Sequence, residues 1–503
     1  MGVILRQGFK HSLITLISTL VGMVNVLFLY TTFLSKEEFG LYQYLISTAL
    51  FITTFVTFGF GSVSINYFPL FRKRAEKDNG FLFLLLAIPT IIFSLFALIC
   101  YLLQSNIYGF YVDHPDADLL LQYLPYILPL VFFFVLNTLL TSYISNFKRI
   151  VVPELLNNLL LKLMIPVFAA MYYFDYINFS TFIYGIIAAY FTAHLGLLVY
   201  LWSLGELQLK PKLSYLDKDT LKNINQYALY SVLSGMGSFL ATKIDVFMVG
   251  TLIDMKNTAI FTVALYISTV ISIPLRSTFN ITSPIIASSF RNGDLANVRK
   301  LYRKTSLNLL IVGVLILLGI WTSIDYLFEL IPNGETYKSG KSIILILGFA
   351  KLVDMATGIN THIIIYSRFY KFNFYLSLVL AIINVVLNLI FIPLFGIIGV
   401  ALATFSSIVI FNLLKVAIVW RKLNMNPFSW SMLWVLVLGL TICLSTYFLP
   451  KTVYPLANII IASLYIGIVY FSSILFFKLS EDFTLLKESL VDKAAFFFSL
   501  NKK

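Results

Sequence analysis

The sequence predicts an all-α membrane protein of about fourteen transmembrane helices, arranged as two parallel six-helix pseudo-repeats with two further helices at the C-terminal end. Three observations carry this reading. Of 503 residues, 59% are hydrophobic and 12% charged. The mean hydropathy of +0.90 would leave a water-soluble domain of this length with a very large exposed apolar surface. Second, apolar runs of about 18 residues or more recur along the chain, each enough for a helix to cross a roughly 30 Å hydrocarbon core. The alternating pattern of a barrel is absent, so the buried backbone must satisfy itself in helices. Third, the basic residues alternate sides in the way a multi-pass topology requires.

In order, the runs lie near 10–33, 41–69, 81–104, 119–145, 151–174, 179–203, 226–251, 259–290, 304–331, 342–366, 373–394, 397–420, 431–449 and 454–478. The first lacks a small-residue cleavage site and is too long for a signal segment, so it is read as a retained helix. With both termini inside, 26 of the 36 Lys and Arg fall in cytoplasmic segments, 5 in outer loops and 5 within helices. Both termini are therefore expected in the cytoplasm. Trp202, Trp420 and Trp430 fall at inner helix ends, the depth an amphipathic ring prefers. The longest loop, about 204–225, is too short for a soluble catalytic domain. The acidic outer loop around Asp113, Asp116 and Asp118 reads as a solvated turn.

A weak internal repeat appears at an offset of about 219 residues. Phe39-Gly40-Leu41-Tyr42 falls on Thr258-Ala259-Ile260-Phe261, and Phe71-Arg72 on Phe290-Arg291. The expected organisation is a six-helix half over 1–203, a cytoplasmic linker over 204–225, a second half over 226–420, and two trailing helices with a tail over 421–503. Even helix counts make the repeats parallel, and a substrate site is expected between them at mid-depth.

Several chemistries find no support. Cys100 and Cys443 lie in apolar segments, where cysteine acts as a small hydrophobe. His11, His114, His194 and His362 are scattered without metal-ligand spacing, and no glycine-rich phosphate loop or nucleophile elbow occurs. No metal, cofactor or enzymatic activity is expected. The net charge of +13 follows membrane topology, so no nucleic-acid partner is expected.

Charges inside the spans are the functional candidates, because each costs roughly 2.5–3.5 kcal/mol on insertion. Lys162 is midway along helix five, Lys243 and Asp245 lie in helix seven, Arg276 near the middle of helix eight, and Lys351 with Asp354 in helix ten. Lys351 and Asp354 share a helix face and can neutralise each other, a purely structural alternative. Lys243 and Asp245 point about 200° apart, so each needs a partner elsewhere or an aqueous cavity. Arg276 follows Pro274, which can kink the helix, and has no acidic residue within a turn. Its planar fork suits phosphate oxygens; the alternative is a structural bridge to Asp245 or Asp354. Four cations against two carboxylates make a cationic chamber. Lys415, near an inner helix end, is expected to snorkel to the headgroups, and His194 and His362 to be satisfied core histidines. The small-residue clusters at 59–62 and 234–238 read as close-packing surfaces.

The run Lys243-Ile244-Asp245-Val246-Phe247-Met248-Val249-Gly250, followed by Ala259-Ile260-Phe261-Thr262-Val263-Ala264 and then Pro274 and Pro284, resembles helices seven and eight of Wzx-type polysaccharide flippases, members of the multidrug/oligosaccharidyl-lipid/polysaccharide exporter superfamily. Relatives often have Gly and Tyr after helix seven where this chain has Ala259 and Phe261, and a basic residue where it has Val246. Gly40 and Tyr42 keep the pattern in the first half. The resemblance implies a polyprenyl-diphosphate-linked oligosaccharide as substrate, moved from the inner to the outer leaflet of a bacterial cytoplasmic membrane by alternating access. Arg276, Lys243, Lys351 and Lys162 would be substrate-binding cations. Asp245 and Asp354 would balance charge or carry a coupling proton or sodium ion. Membrane lipids and the machinery that polymerises polysaccharide would be its partners. Three rivals stand beside this reading. A drug/cation antiporter of the same superfamily is disfavoured by a cationic chamber. A peptidoglycan lipid-precursor flippase handles a similar anionic head group and is not separated by sequence logic. A membrane-embedded polymerase or glycosyltransferase would need a sizeable outer loop.

Overall fold

Short polar residues set the helix ends. Ser35 and Glu38 form a reciprocal capping box, the Glu38 N–H donating to Ser35 Oγ at 3.2 Å and the Ser35 N–H to Glu38 Oε2 at 2.9 Å. Asn178 and Asp294 accept backbone N–H groups at the starts of two later helices. The computed structural model describes residues 2–72, 80–211, 218–485 and 487–488, with the side chains of 2–6, 8, 9, 12 and 233–243 outside that description.

Among the described residues there is no strand. The long helices are α1 (Leu13–Phe33), α2 (Lys36–Val56), α3 (Phe81–Leu102), α4 (Ala117–Ser145), α5 (Val151–Tyr173), α6 (Phe179–Ser203), α7 (Lys218–Leu252), α8 (Met255–Arg291), α9 (Leu295–Leu330), α10 (Gly334–Thr357 and Asn360–Tyr366), α11 (Lys371–Phe395), α12 (Ile397–Leu423), α13 (Trp430–Phe448) and α14 (Pro455–Phe476). Among the described residues twelve are long and apolar enough to cross a membrane singly, and the two arms of α10 qualify together with a 48° bend. With the 35-residue α7, they match the fourteen apolar runs one for one. The fold is an all-α membrane fold.

Besides the bent α10, two expected spans are interrupted. The second run divides at Phe58 and Gly59, both with positive φ, into α2 and a short helix Phe60–Arg72. A side chain on Gly59 would fall 2.4 Å from the Ala228 carbonyl oxygen, so close approach and backbone sign both demand glycine there. In α8, a 3-10 turn over Val270–Ser272 precedes the arm Ile273–Arg291, with Pro274 in its first turn, where a missing N–H costs nothing.

The chain forms two compact units, Met1–Val263 with Ala381–Val400, and Ala264–Leu380 with Ala401–Lys503. In the first, α2 packs against α4 and α7 around fully buried Phe39, Leu41, Tyr44 and Leu45. In the second, α9 is central, packing on α14, α13 and the first arm of α10. Tyr470 on α14 donates its hydroxyl to the Ile311 carbonyl at 3.0 Å.

Candidate functional site

In the second unit α8 and α10 run side by side. Ser268 Oγ is 3.4 Å from the Ile344 carbonyl, Ile271 flanks Gly348, and Ser283 Oγ is 3.0 Å from His362 Nδ1. These contacts join residues 76 to 79 apart in sequence, so the helices are parallel and Arg276 lies level with about residue 353. Lys351 is two residues away, a difference of about 3 Å in depth at 1.5 Å per residue. Arg276 is exposed and Lys351 half-buried. Neither makes a hydrogen bond or ion pair with any described residue. Two cations at one depth without a protein counter-ion can hold an anion, the fork of arginine suiting two phosphate oxygens and the ammonium acting as a point charge.

The local Lys351–Asp354 pair that the spacing allows is not made. Asp354 Oδ1 instead accepts Asn412 Nδ2 from α12 at 2.7 Å, because a fixed amide on the packed neighbour meets the carboxylate and spares Lys351. Lys415 also departs from expectation. It is 4% exposed, its ammonium donates to Thr361 Oγ1 at 2.8 Å, and it lies 3.6 Å from the Phe411 ring centroid. Asn412 and Lys415 share one face of α12, and that face turns toward α10. The hydroxyl and the ring face replace the headgroups a snorkelling lysine would seek.

In the first unit, Lys162 Nζ donates to the Ser18 carbonyl at 2.8 Å, and Asn25 Nδ2 to the Lys162 carbonyl at 2.6 Å. Both contacts lie beside widened π turns, Asn25–Leu29 and Leu155–Leu160. Lys162 is thus engaged by α1. Asp245 is 5% exposed, and its Oδ1 accepts from Asn388 Nδ2 at 3.3 Å. That same amide donates to Asn384 Oδ1 at 2.7 Å, while Asn388 Oδ1 is buried with no hydrogen-bond partner. At the 219-residue offset Asn25 falls beside Asp245, and Lys162 three residues before Asn384. The backbone of Lys243 is helical, and its side chain lies outside the described residues.

Asn25, Asn384, Asn388 and Asn412 were not among the sequence candidates, although an amide inside an apolar run is itself a signal, since it must find a partner across helices. His194 and His362 take side-chain partners, Asn137 and Ser283, each at 3.0 Å. The acidic loop around Asp116 is not merely solvated. Asp116 Oδ2 accepts the Met255 N–H at 2.7 Å and caps α8. Among the described residues no cluster of His, Cys, Asp and Glu could hold a metal ion.

No curated protein matches the sequence. Solved structures do match the fold. A lipid II flippase MurJ in an inward closed conformation superposes with a TM-score of 0.73 at 17% identity, over 93% of this chain and 98% of that one. A MATE transporter gives a TM-score of 0.56 at 14% identity, over 84% and 95%. An outward-facing multidrug resistance MATE family transporter of the MOP superfamily gives 0.53 at 14% identity, also over 84% and 95%. The family model described as polysaccharide biosynthesis protein matches residues 4–290. With that match over more than half its length and a fold shared with transporters of the MOP superfamily, the chain belongs to the polysaccharide biosynthesis protein family.

Proposed function

We propose that the protein moves a polyprenyl-diphosphate-linked oligosaccharide from the inner to the outer leaflet of a bacterial cytoplasmic membrane, by alternating access, for polysaccharide biosynthesis. The observation that carries this is the pair Arg276 and Lys351, level on parallel helices and without partners among the described residues. An exposed guanidinium at the middle of a long apolar helix calls for a polar chamber and an anionic ligand. A diphosphate supplies both the charge and the oxygens, while its polyprenyl tail stays in the bilayer. Family membership supports a role in polysaccharide assembly. Moving anionic charge outward is downhill in a membrane negative inside, by about 2.3 kcal/mol per charge per 100 mV. Asp245 and Asp354, each accepting an asparagine amide, balance the cationic charge or carry a coupling proton or sodium ion. A drug/cation antiporter is disfavoured by the same unpaired cations. A peptidoglycan lipid-precursor flippase shares the diphosphate chemistry and differs in the glycan.

The test is the leaflet distribution of lipid-linked oligosaccharide in a host lacking the gene, with wild-type or Arg276→Ala copies returned. Accumulation on the cytoplasmic leaflet, relieved by wild type and not by Arg276→Ala, is expected. An unchanged glycolipid pool would sink the proposal.

A further inference from the structure

The two arms of α10 belong to different apolar cores. Leu352 and Met355 of the first arm pack among Ile271, Leu309 and Val435. Ile363 and Ile364 of the second arm pack among Tyr302, Val419 and Met425. Between them Gly358 has φ +56° and is pressed against Ser306, where an added Cβ would come within 2.3 Å of the hydroxyl. Glycine permits that break, but permission does not set the angle.

A chain of polar side chains crosses the break. Lys415 Nζ donates to Thr361 Oγ1 at 2.8 Å, and the Thr361 hydroxyl donates to Asn360 Oδ1 at 3.2 Å. Asn360 Nδ2 donates to Asn412 Oδ1 at 3.2 Å, and Asn412 Nδ2 to Asp354 Oδ1 at 2.7 Å. Thr357 adds a second donor to Asn412 Oδ1 at 2.9 Å. Every donor points from the ammonium toward the carboxylate, so each bond polarises the next in the same sense. Asp354 and Thr357 lie on the first arm, Asn360 and Thr361 on the second, and the two residues α12 supplies, Asn412 and Lys415, share one of its faces.

We propose that Lys415 is a positioning residue, which through this relay to Asp354 fixes the bend of α10 and so holds Lys351, one turn above Asp354, at the anion site. Its consequence for transport rests on the proposed function; the relay itself does not. The second arm has seven residues, about 10 Å at 1.5 Å per residue. Full straightening of the 48° bend would therefore carry its far end about 8 Å sideways.

The test measures spin-label distances between Arg299 and Tyr366, both exposed, in purified full-length protein with Cys100 and Cys443 replaced by serine, in lipid nanodiscs. Lys415→Met is expected to shift or broaden the distance by up to about 8 Å. Thr361→Val, which cuts the relay while keeping side-chain shape, should do the same if Lys415→Met fails to fold. Lys415→Arg should restore the wild-type distance, and Lys415→Met with Asp354→Leu should add nothing to the single change. Unchanged distances in Lys415→Met, or in Thr361→Val, would overturn the proposal. Arg276→Ala should leave the distance alone and lower transport. A wild-type protein that moves no lipid diphosphate, with the distance shifts present in Lys415→Met and Thr361→Val, would sink the transport reading and keep the relay.

Discussion

Arg276→Ala should cost function without costing stability. The guanidinium is exposed and bonded to no described residue, so truncating it orphans no partner and opens no cavity in the cores described above. Substitutions free of such mechanisms fall within about ±0.5 kcal/mol. Binding of a diphosphate should instead lose a charge-assisted hydrogen bond, about 1.5–3 kcal/mol, which is roughly a 10- to 150-fold weaker Kd. The assay pairs thermal unfolding of detergent-solubilised protein with titration of a short-chain polyprenyl diphosphate at low and physiological salt. Arg276→Lys should recover part of the affinity, because it restores charge without the bidentate fork. A large loss of stability in Arg276→Ala, or an unaltered Kd, would refute the reasoning and return Arg276 to a structural role.

Gly358→Ala should destabilise by at least about 1–3 kcal/mol, the cost of a side chain in a sparsely populated backbone region, and Ser306→Ala should relieve the steric part alone; thermal unfolding of both and of the double variant checks this. Asp245→Asn should abolish any dependence of transport on a proton or sodium gradient while leaving anion binding intact, a result read by flipping rates with each gradient collapsed in turn. His114 lies between spans, where burial pushes its pKa below the ordinary value of about 6.5, with Asp116 and Asp254 opposing. Its Nδ1 accepts the Asp116 N–H, so the folded loop holds the neutral ring. Stability from this group is complete above about pH 6.5 and is lost as pH falls toward the lower folded pKa. Hydrogen exchange around 112–118 and 252–258, corrected for intrinsic rates, should therefore rise from pH 7.5 to 5.5 in wild type and not in His114→Gln.

Length and apolar composition made the helices legible, since a membrane leaves the backbone almost no other solution. The Ser35 cap has a local signal, serine followed three residues later by glutamate, but it was not among the features read from the sequence. The breaks at Phe58-Gly59 and at Gly358 were not legible, because glycine is common inside membrane helices and lowers hydropathy little. Arg276 and Lys351 could be named from sequence as costly charges near the middles of two spans, but that those spans lie side by side needed the register of α8 on α10. Lys415 was misread for a related reason. Whether a lysine near a helix end turns outward or inward depends on helix rotation, and here the deciding groups, Thr361 and Phe411, include one on another helix. The Asp116 cap on Met255 joins positions 139 residues apart, and no local pattern announces it.

The central claim is tested most directly by reconstituting the purified protein in liposomes that carry a fluorescent polyprenyl-diphosphate oligosaccharide, and following its exposure to a membrane-impermeant quencher. Wild type should move the lipid faster than empty liposomes, and Arg276→Ala and Lys351→Ala should each slow it at equal protein loading. A wild-type rate equal to that of empty liposomes, alongside gradient-driven uptake of an organic cation, would contradict the account.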